Sequence, residues 1–313
     1  MEGSNQTSVT YFIIKGISEV PGLQIPIFIL VLLILLLTLG GNVTIVLLVC
    51  LERQLHTPMY FFLCNLAVLN MCSSTVTSHK ILVIFVSGHN TVPFLNCILQ
   101  FYVFSSLACN ELLILTAMGF DRYVAICKPL HYQLVMNPRA CVLLASACWT
   151  LGFLEVVPYV ALLSTFSCYT SNAVNHFFCD LKPLMNLSCS DTSVLEMLSL
   201  IEGLLLLSLT PFLLTFISYV FIIVAIMKIQ SKDGRRKAFY TCSSHLTVVI
   251  LLYVTLVCQY LRPTSGKALD SNKLFSLFNT TAVPMLNPLI YSLKNKDVTS
   301  ALRRRFHFCK VGV

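Results

Sequence analysis

Long runs of apolar residues alternate with short polar stretches along most of the chain. A helix needs about 20 apolar residues to cross a bilayer, and seven runs reach that length. They lie near residues 24–50, 58–85, 94–127, 140–162, 195–229, 237–261 and 270–292. Such runs predict helices, because lipid offers no hydrogen-bonding partner to an open backbone. The pattern therefore predicts an all-α membrane protein built as a seven-transmembrane helix bundle.

Two tails flank the predicted bundle. We expect residues 1–23 to form an extracellular N-terminal tail, residues 24–292 the bundle, and residues 293–313 a cytoplasmic tail. Basic and apolar residues interleave over 294–308, which predicts a short amphipathic helix on the inner membrane surface. Cys309 follows this stretch and is a candidate for palmitoylation.

Composition and charge distribution support the membrane prediction. Hydrophobic residues make up 57% of the 313 residues and charged residues 11%, a balance that does not suit a soluble domain. With the N-terminus outside, fifteen of the 21 Lys and Arg residues fall on the cytoplasmic side, as the positive-inside rule requires. The net charge of +8 mostly reflects this asymmetry and indicates anionic lipid or an acidic cytoplasmic partner, not nucleic acid. Asn5 begins a glycosylation sequon in the predicted outer tail.

One face of the third run carries residue types that contact with lipid does not require. Alternating steps of four and three residues place on this face Cys97, Phe101, Phe104, Ala108, Glu111, Leu115, Met118 and Arg122. Glu111 falls near mid-depth, where a carboxylate is costly unless it is paired, neutralised or facing water. Asn70 of the second run is a candidate partner for Glu111 across the bundle. A functional ion or proton site and a protonated structural glutamate are equal alternatives for this polar core.

Four of the fourteen cysteines fall on the predicted outer, oxidising side. They are Cys97, Cys168, Cys179 and Cys189, and four cysteines allow three disulfide pairings. His176 stands among them and also suggests a metal site, but the loose spacing favours a disulfide-bonded loop. Near the other end of the bundle, Pro288 removes a backbone donor and predicts a kink in the seventh helix.

Two motifs close predicted helices, namely Asp121-Arg122-Tyr123 in the third and Asn287-Pro288-x-x-Tyr291 in the seventh. Together with the seven runs they resemble rhodopsin-like G-protein-coupled receptors. The chain is more specifically similar to the vertebrate odorant receptors. The stretches that carry this similarity are residues 55–63, 118–132, 177–180, 237–246 and 284–296. The resemblance covers nearly the whole chain.

The resemblance implies roles for individual residues. It implies that Cys97 pairs with Cys179 and that Cys168 pairs with Cys189. Arg122 would be held at rest by Asp121 and released toward the G protein on activation. The other residues implied in coupling and activation are Tyr123, Tyr219, His245, Asn287, Pro288 and Tyr291.

The resemblance also implies a cellular role. The implied location is the plasma membrane, the implied ligand is a small volatile, and the implied partner is a stimulatory, olfactory-type G protein that raises cyclic AMP. Neither an enzymatic activity nor a cofactor is implied. The chain departs from the family pattern at Asn70, where Asp is usual, so that only Glu111 would carry charge for a cation at this depth. It also departs at Gly119 and Phe120, and Val254 replaces a glycine beside Tyr253.

We expect the ligand site in the outer half, where spans three, five, six and seven converge. The candidate ligand residues, each of which is also a candidate for helix packing, are Phe101, Phe104, Ser105, Ala108, Cys109, Gly203, Leu207, Tyr253, Leu256, Val257, Tyr260, Leu277 and Thr280. These residues are mostly apolar or aromatic, so a small apolar volatile fits better than a cationic amine. Arg262 can bind a carboxylate, but its place beside Pro263 favours an interfacial role.

Three other functions are alternatives to a receptor for volatiles. A transporter requires an inverted repeat or broken helices around polar sites, and the sequence has no convincing repeat. A membrane enzyme requires a catalytic signature, and no His–Cys spacing matches one. A receptor for a non-odorant metabolite outside the olfactory epithelium is the remaining alternative, because its pocket chemistry would be the same.

Overall fold

Helices make up most of the molecule. The computed structural model describes residues 9–18, 20–166, 168–260, 273, 275–294 and 298–304. The long helices are α1 (Pro21–Leu51), α2 (Pro58–Ser87), α3 (Phe94–Cys127), α5 (Pro138–Leu154) with its continuation α6 (Val157–Ser164), α9 (Thr210–Met227), α10 (Lys232–Tyr260) and α11 (Val283–Lys294). The shorter helices are α4 (Tyr132–Val135) and α7 (Leu181–Leu187) in connections, α8 (Ser193–Leu198) at the start of the fifth helix, and α12 over residues 298–304 after the bundle.

The long helices form a seven-helix bundle. Within the described residues, six helical stretches are long and apolar enough to cross a membrane: α1, α2, α3, α5 with α6, α9 and α10. The helix that runs through residues 275–294 is the seventh. In α12, Val298 and Ala301 are buried whereas Arg303 is exposed, so this helix is amphipathic. The predicted architecture is confirmed.

Local sequence explains where several helices begin and end. Pro58 and Pro138 occupy first helical positions, where a missing backbone donor costs nothing. The Asn137 side chain caps α5 by accepting a hydrogen bond from the Ala140 backbone at 2.9 Å. Helix α2 ends at Ser87, and the Gly88 that follows it has a φ of 68°, a left-handed conformation that glycine adopts readily.

Within the described residues, two of the seven helices contain π-helical turns. The fifth contains a π-helix over Ser199–Leu209, between α8 and α9, and the seventh contains one over Phe278–Ala282 before α11. Such turns are rare and are frequent at functional sites. The apolar pattern predicts the helices but not these wider turns, because a π-helix and an α-helix bury apolar residues alike.

A small sheet covers one end of the bundle. Strand β1 (Tyr11–Ile14) pairs antiparallel with β2 (Thr91–Pro93) and parallel with β3 (Ala173–Val174). Phe12 and Val174 are fully buried there. The segment predicted only as a tail thus joins two loops that are distant in sequence. We call this end of the bundle the disulfide end, and we call the opposite end, which carries Asp121 and Arg122, the Arg122 end.

Candidate functional site

Disulfide bonds fix a loop segment across the disulfide end. Cys97 at the start of α3 is bonded to Cys179, with 5.4 Å between their Cα atoms, and Cys168 is bonded to Cys189. The Cys179 backbone also donates a hydrogen bond to Gln100 Oε1 at 3.1 Å. The residues just before Cys179 are therefore held against α3.

Two aromatic residues of this segment are fully buried between the helices. Phe177 and Phe178 form a cluster with Val31 of α1 and Ile81 of α2, and Phe104 and Leu277 pack against it. The ring centroids of Phe178 and Phe104 are 4.8 Å apart in an edge-to-face arrangement. We call Phe104, Phe177, Phe178 and Leu277 the mouth cluster. In the sequence, Phe177 and Phe178 stood out only as part of a family stretch. Their position beside a cysteine in a loop was the one feature that could have indicated their burial.

His176 is a buried, neutral member of the same segment. Its ring stacks on Phe177 with 4.5 Å between centroids, and its Nδ1 atom accepts a hydrogen bond from the Phe178 backbone. Burial, and to a smaller extent the positive charge of Lys273, lower the pKa of His176 to about 4. Among the described residues, no three His, Cys, Asp or Glu side chains gather as metal ligands. His176 therefore acts here as a packing residue.

The predicted ligand residues lie in several separate clusters of the bundle. Phe104 and Leu277 belong to the mouth cluster. Phe101 and Cys109 are buried instead among residues of α6, including Tyr159. Gly203 also lies near α6, because a Cβ built on it would be 3.6 Å from the Tyr159 hydroxyl oxygen.

The remaining described ligand candidates have other partners in the bundle. Tyr253 donates a hydrogen bond to the Ser208 carbonyl at 3.3 Å, and Leu256 packs against the main core. Thr280 is buried and donates to the Ser276 carbonyl at 2.8 Å. Ser105 and Ala108 are partly buried. The structure thus does not bring the predicted set together as one lining.

Val257 is more exposed than most of the other candidate ligand residues. Its side chain is 51% exposed and shares a face of α10 with Ile250 and Val254, which are exposed as well. That face suits lipid, so Val257 points away from the bundle interior. The side chains of Leu207 and Tyr260, and the whole of Asn5, lie outside the described part of the structure.

A buried polar network joins four helices at mid-depth. The Asn287 amide nitrogen is 3.2 Å from Asn70 Oδ1 and 3.4 Å from Glu111 Oε1. Asn70 donates in turn to Asn42 Oδ1 at 3.2 Å, and Asn42 donates to the Pro284 carbonyl. The predicted pairing of Asn70 with Glu111 is therefore not direct, since Asn287 lies between them. The sequence does not predict the part of Asn42 in this network, because Asn70 and Pro284 are far from it along the chain.

Next to this network in sequence, the Gly41 position of α1 lies close to the Pro288 side chain of α11. A Cβ built on Gly41 would lie 3.0 Å from Pro288 Cγ, so glycine allows α1 to approach α11 at its internal proline. The neighbouring Gly40 has no atom within 4 Å of a built Cβ. Gly41, and not Gly40, is thus required by the packing against Pro288.

At the Arg122 end, Asp121 holds Arg122. Arg122 Nε donates to Asp121 Oδ2 at 2.9 Å, Arg122 Nη2 donates to the same oxygen, and Asp121 is fully buried. The Tyr132 hydroxyl of α4 donates to the other carboxylate oxygen, Oδ1, at 2.8 Å. Burial and the charge of Asp121 raise the pKa of Tyr132, so this hydroxyl keeps its proton at neutral pH. The sequence contained Tyr132 within a family stretch but gave no role for it.

A second set of contacts links α3, α9 and α10 near Arg122. The Tyr219 hydroxyl is 2.8 Å from His245 Nδ1, and His245 Nε2 is 2.9 Å from the Leu115 carbonyl. A carbonyl can only accept, so Nε2 carries the proton and Nδ1 accepts from Tyr219. Tyr123 packs among the buried residues around Tyr219, and Tyr291 is buried in the main core.

Comparisons with known proteins agree with this arrangement. The family model for "Olfactory receptor" matches residues 28–308. The chain is 44% identical to olfactory receptor 5AR1 of Mus musculus over 304 residues, which cover 97% of this chain and 98% of that protein. It is 42% identical to olfactory receptor 8D1 of Homo sapiens (97% and 98% covered) and 44% identical to olfactory receptor-like protein COR4 of Gallus gallus (97% of each). The chain therefore belongs to the olfactory receptor family, which is a family of G-protein-coupled receptors and not of enzymes.

Proposed function

We propose that this odorant receptor binds a small, mostly apolar volatile at the disulfide end and activates a stimulatory, olfactory-type G protein at the Arg122 end. The N-terminus would be extracellular and the Arg122 end cytoplasmic. One observation carries the proposal: a single helix, α3, contacts the buried loop aromatics through Phe104 and presents the Asp121–Arg122 pair at its other end.

The mouth cluster supports the ligand part of the proposal. Phe104 and Leu277 come from the third and seventh helices, and Phe177 and Phe178 come from the disulfide-bonded loop. Aromatic and aliphatic side chains from separate elements suit a ligand that is bound mainly by burial. A volatile inserted here would press on α3 and on the seventh helix simultaneously.

Exposed apolar residues support the G-protein part. Leu130 is 96% exposed on the turn between α3 and α4, and Leu134 of α4 is also exposed. Both lie close in sequence to Tyr132, which hydrogen-bonds Asp121. An apolar surface connected directly to the Arg122 contacts is suited to a protein partner.

Signalling requires that binding at one end favours a different state at the other. In the present state His245 ties α10 to α3 through the Leu115 carbonyl, and Tyr219 ties α9 to His245. Movement of α10 away from α3 would break these bonds and open a cleft beside Arg122. The polar network around Asn287 connects α3 to α1, α2 and α11 at mid-depth.

The test is a cyclic AMP reporter assay in cells that express the receptor with the olfactory-type G protein, screened with a broad panel of volatiles. We expect a dose-dependent response that disappears in Arg122→Ala while surface expression remains. Gly40→Ala, on an open face of α1, is the matched control and should respond like the parent receptor. A normal response from Arg122→Ala would contradict the proposed coupling.

A further inference from the structure

We propose that the N-terminal segment forms part of the ligand site and that Ile17 limits the length of the aliphatic chain that this site accepts. The inference rests on the proposed function and deepens it by naming a residue that sets ligand length. Ile17 packs against the cluster that contains Phe177 and Phe178, as Phe104 and Leu277 do. The mouth cluster thus has an apolar neighbour that precedes the first helix of the bundle.

Backbone hydrogen bonds hold the N-terminal segment along the disulfide-bonded loop. Strand β1 pairs in parallel with β3, and the bonding continues beyond the strand. The Lys15 backbone donates to the Val174 carbonyl at 3.1 Å. The Gly16 backbone donates to the His176 carbonyl at 3.3 Å. The segment therefore follows the loop up to the residue just before Phe177.

The other side of β1 is fixed as well. The Ile14 backbone donates to the Asn90 carbonyl at 2.8 Å, next to β2. Phe12 is fully buried, with its ring centroid 5.1 Å from that of Tyr169 and 5.9 Å from that of Phe94. Aromatic contacts of this kind stabilise beyond the area that they bury. The segment that leads to Ile17 is therefore anchored on two loops and at the start of α3.

A left-handed turn at Gly16 separates β1 from Ile17. The φ of Gly16 is 75°, a conformation that residues with a side chain rarely adopt. A Cβ built on Gly16 would meet no atom within 4 Å, so the position needs glycine for its backbone conformation and not for space. The turn ends the strand and places the next residue, Ile17, against the mouth cluster.

Ile17 lies at the outer edge of the proposed ligand site. Phe177 and Phe178 are fully buried between the helices, whereas Ile17 is only partly buried. An aliphatic chain that extends outward from Phe178 would therefore meet the Ile17 side chain. One methylene more or less in an apolar pocket changes recognition by about 10- to 200-fold. The size of residue 17 should consequently decide which chain length fits best.

The first experiment uses the full-length receptor in the cyclic AMP assay with straight-chain alcohols and aldehydes of increasing length. Ile17→Ala enlarges the space at the edge of the site, and Ile17→Phe reduces it. We expect the best chain length to increase in Ile17→Ala and to decrease in Ile17→Phe. The preference between the best homologue of the parent and its neighbour should change by about tenfold or more. Tyr11→Ala is the control, because the Tyr11 side chain is 47% exposed, and it should keep the parent preference.

A purely structural role for Ile17 would weaken the response to all chain lengths alike and would not move the best length in opposite directions. Such a uniform loss, or the same best length in every variant, would overturn the proposal and leave the receptor function standing. Silence of the surface-expressed receptor towards the whole series would overturn it too. The broad volatile panel with Arg122→Ala tests the receptor function separately.

A second measurement needs no known ligand to locate Ile17. Ile17→Cys and Tyr11→Cys are labelled on intact cells with a membrane-impermeant maleimide, and the parent receptor gives the background. We expect slower labelling at position 17 than at position 11, because only Ile17 packs against the mouth cluster. An activating alcohol or aldehyde should slow labelling at position 17 alone. Equal labelling rates at the two positions, or no protection by an activating volatile, would overturn the place of Ile17 in the site.

Discussion

Asn287 lies between Asn70 and Glu111, with its amide nitrogen 3.2 Å from the first side chain's oxygen and 3.4 Å from the second's. One side chain of the seventh helix thus holds polar groups of α2 and α3 inside the bundle. A buried polar group that loses its partner costs about 1–3 kcal/mol. The stability of this region should therefore depend on Asn287, and also on Asn70, which contacts both Asn287 and Asn42.

We predict that Asn287→Ala lowers the free energy of unfolding by about 1–3 kcal/mol, because it removes the bonds to Asn70 and Glu111 together. Thermal unfolding of the detergent-solubilised receptor, followed with a thiol-reactive dye, measures the change. Thr75→Ala is the control, since the exposed Thr75 hydroxyl bonds only the Met71 carbonyl of its own helix. Equal unfolding temperatures for the two variants would show that the network does not stabilise the bundle.

The second prediction compares two adjacent glycines of α1. Gly41→Ala places a methyl group 3.0 Å from Pro288 Cγ, so either α1 or α11 must shift. We expect a loss of stability of about 1–3 kcal/mol, as for overpacking in other cores, and a weaker response to any activating volatile. Gly40→Ala meets no atom within 4 Å and should be neutral or stabilising by up to about 1 kcal/mol, because alanine favours helix.

Thermal unfolding and the cyclic AMP response of both variants provide the measurement. Because the two glycines are neighbours in the same helix, differences in membrane insertion affect them alike. Similar behaviour of both variants would mean that α1 does not need its close approach to Pro288.

Much of this architecture follows from the sequence, since each span must be apolar over its whole length to lie in lipid. The position of Asp121-Arg122 at the end of α3 followed from the same pattern and from the family motif. Strand β1 could not be predicted from the sequence. Its four residues are of mixed polarity, and they form a strand only by pairing with loops far along the chain. The contact of Asn42 could not be predicted for a similar reason, because its partner Asn70 lies on another helix.

The third prediction concerns the stability of the folded receptor at acidic pH. His176 has a pKa of about 4 in the folded receptor, below the value of about 6.5 for an unperturbed histidine. Between those values the unfolded chain binds the proton and the folded receptor does not, so stability falls as pH decreases from about 6.5. The loss should level off below about pH 4 at a total on the order of 3 kcal/mol. Above about pH 6.5, His176 should contribute no pH dependence.

The unfolding temperature of the solubilised receptor across this pH range measures the effect. In His176→Gln, which cannot titrate, the decline between about pH 6.5 and 4 should become shallower. His89→Gln is the control, because His89 is exposed, and its profile should follow that of the parent. A profile unchanged in His176→Gln would contradict the buried, neutral state of His176.

The last prediction concerns the resting state of the Arg122 end. Tyr132 donates to Asp121 Oδ1 at 2.8 Å, while Arg122 is bound to Oδ2, so the hydroxyl helps to hold the carboxylate that retains Arg122. Tyr132→Phe keeps the ring and removes the hydroxyl, at a cost to this state of about 1 kcal/mol. We therefore expect basal cyclic AMP signalling to rise by up to about fivefold at equal surface expression, because that free energy shifts the two-state equilibrium by this factor. Gln133→Ala, an exposed neighbour on α4, should leave basal signalling unchanged. If basal signalling fell in Tyr132→Phe, the hydroxyl would instead support the active state, and the bond to Asp121 would not be a restraint on Arg122.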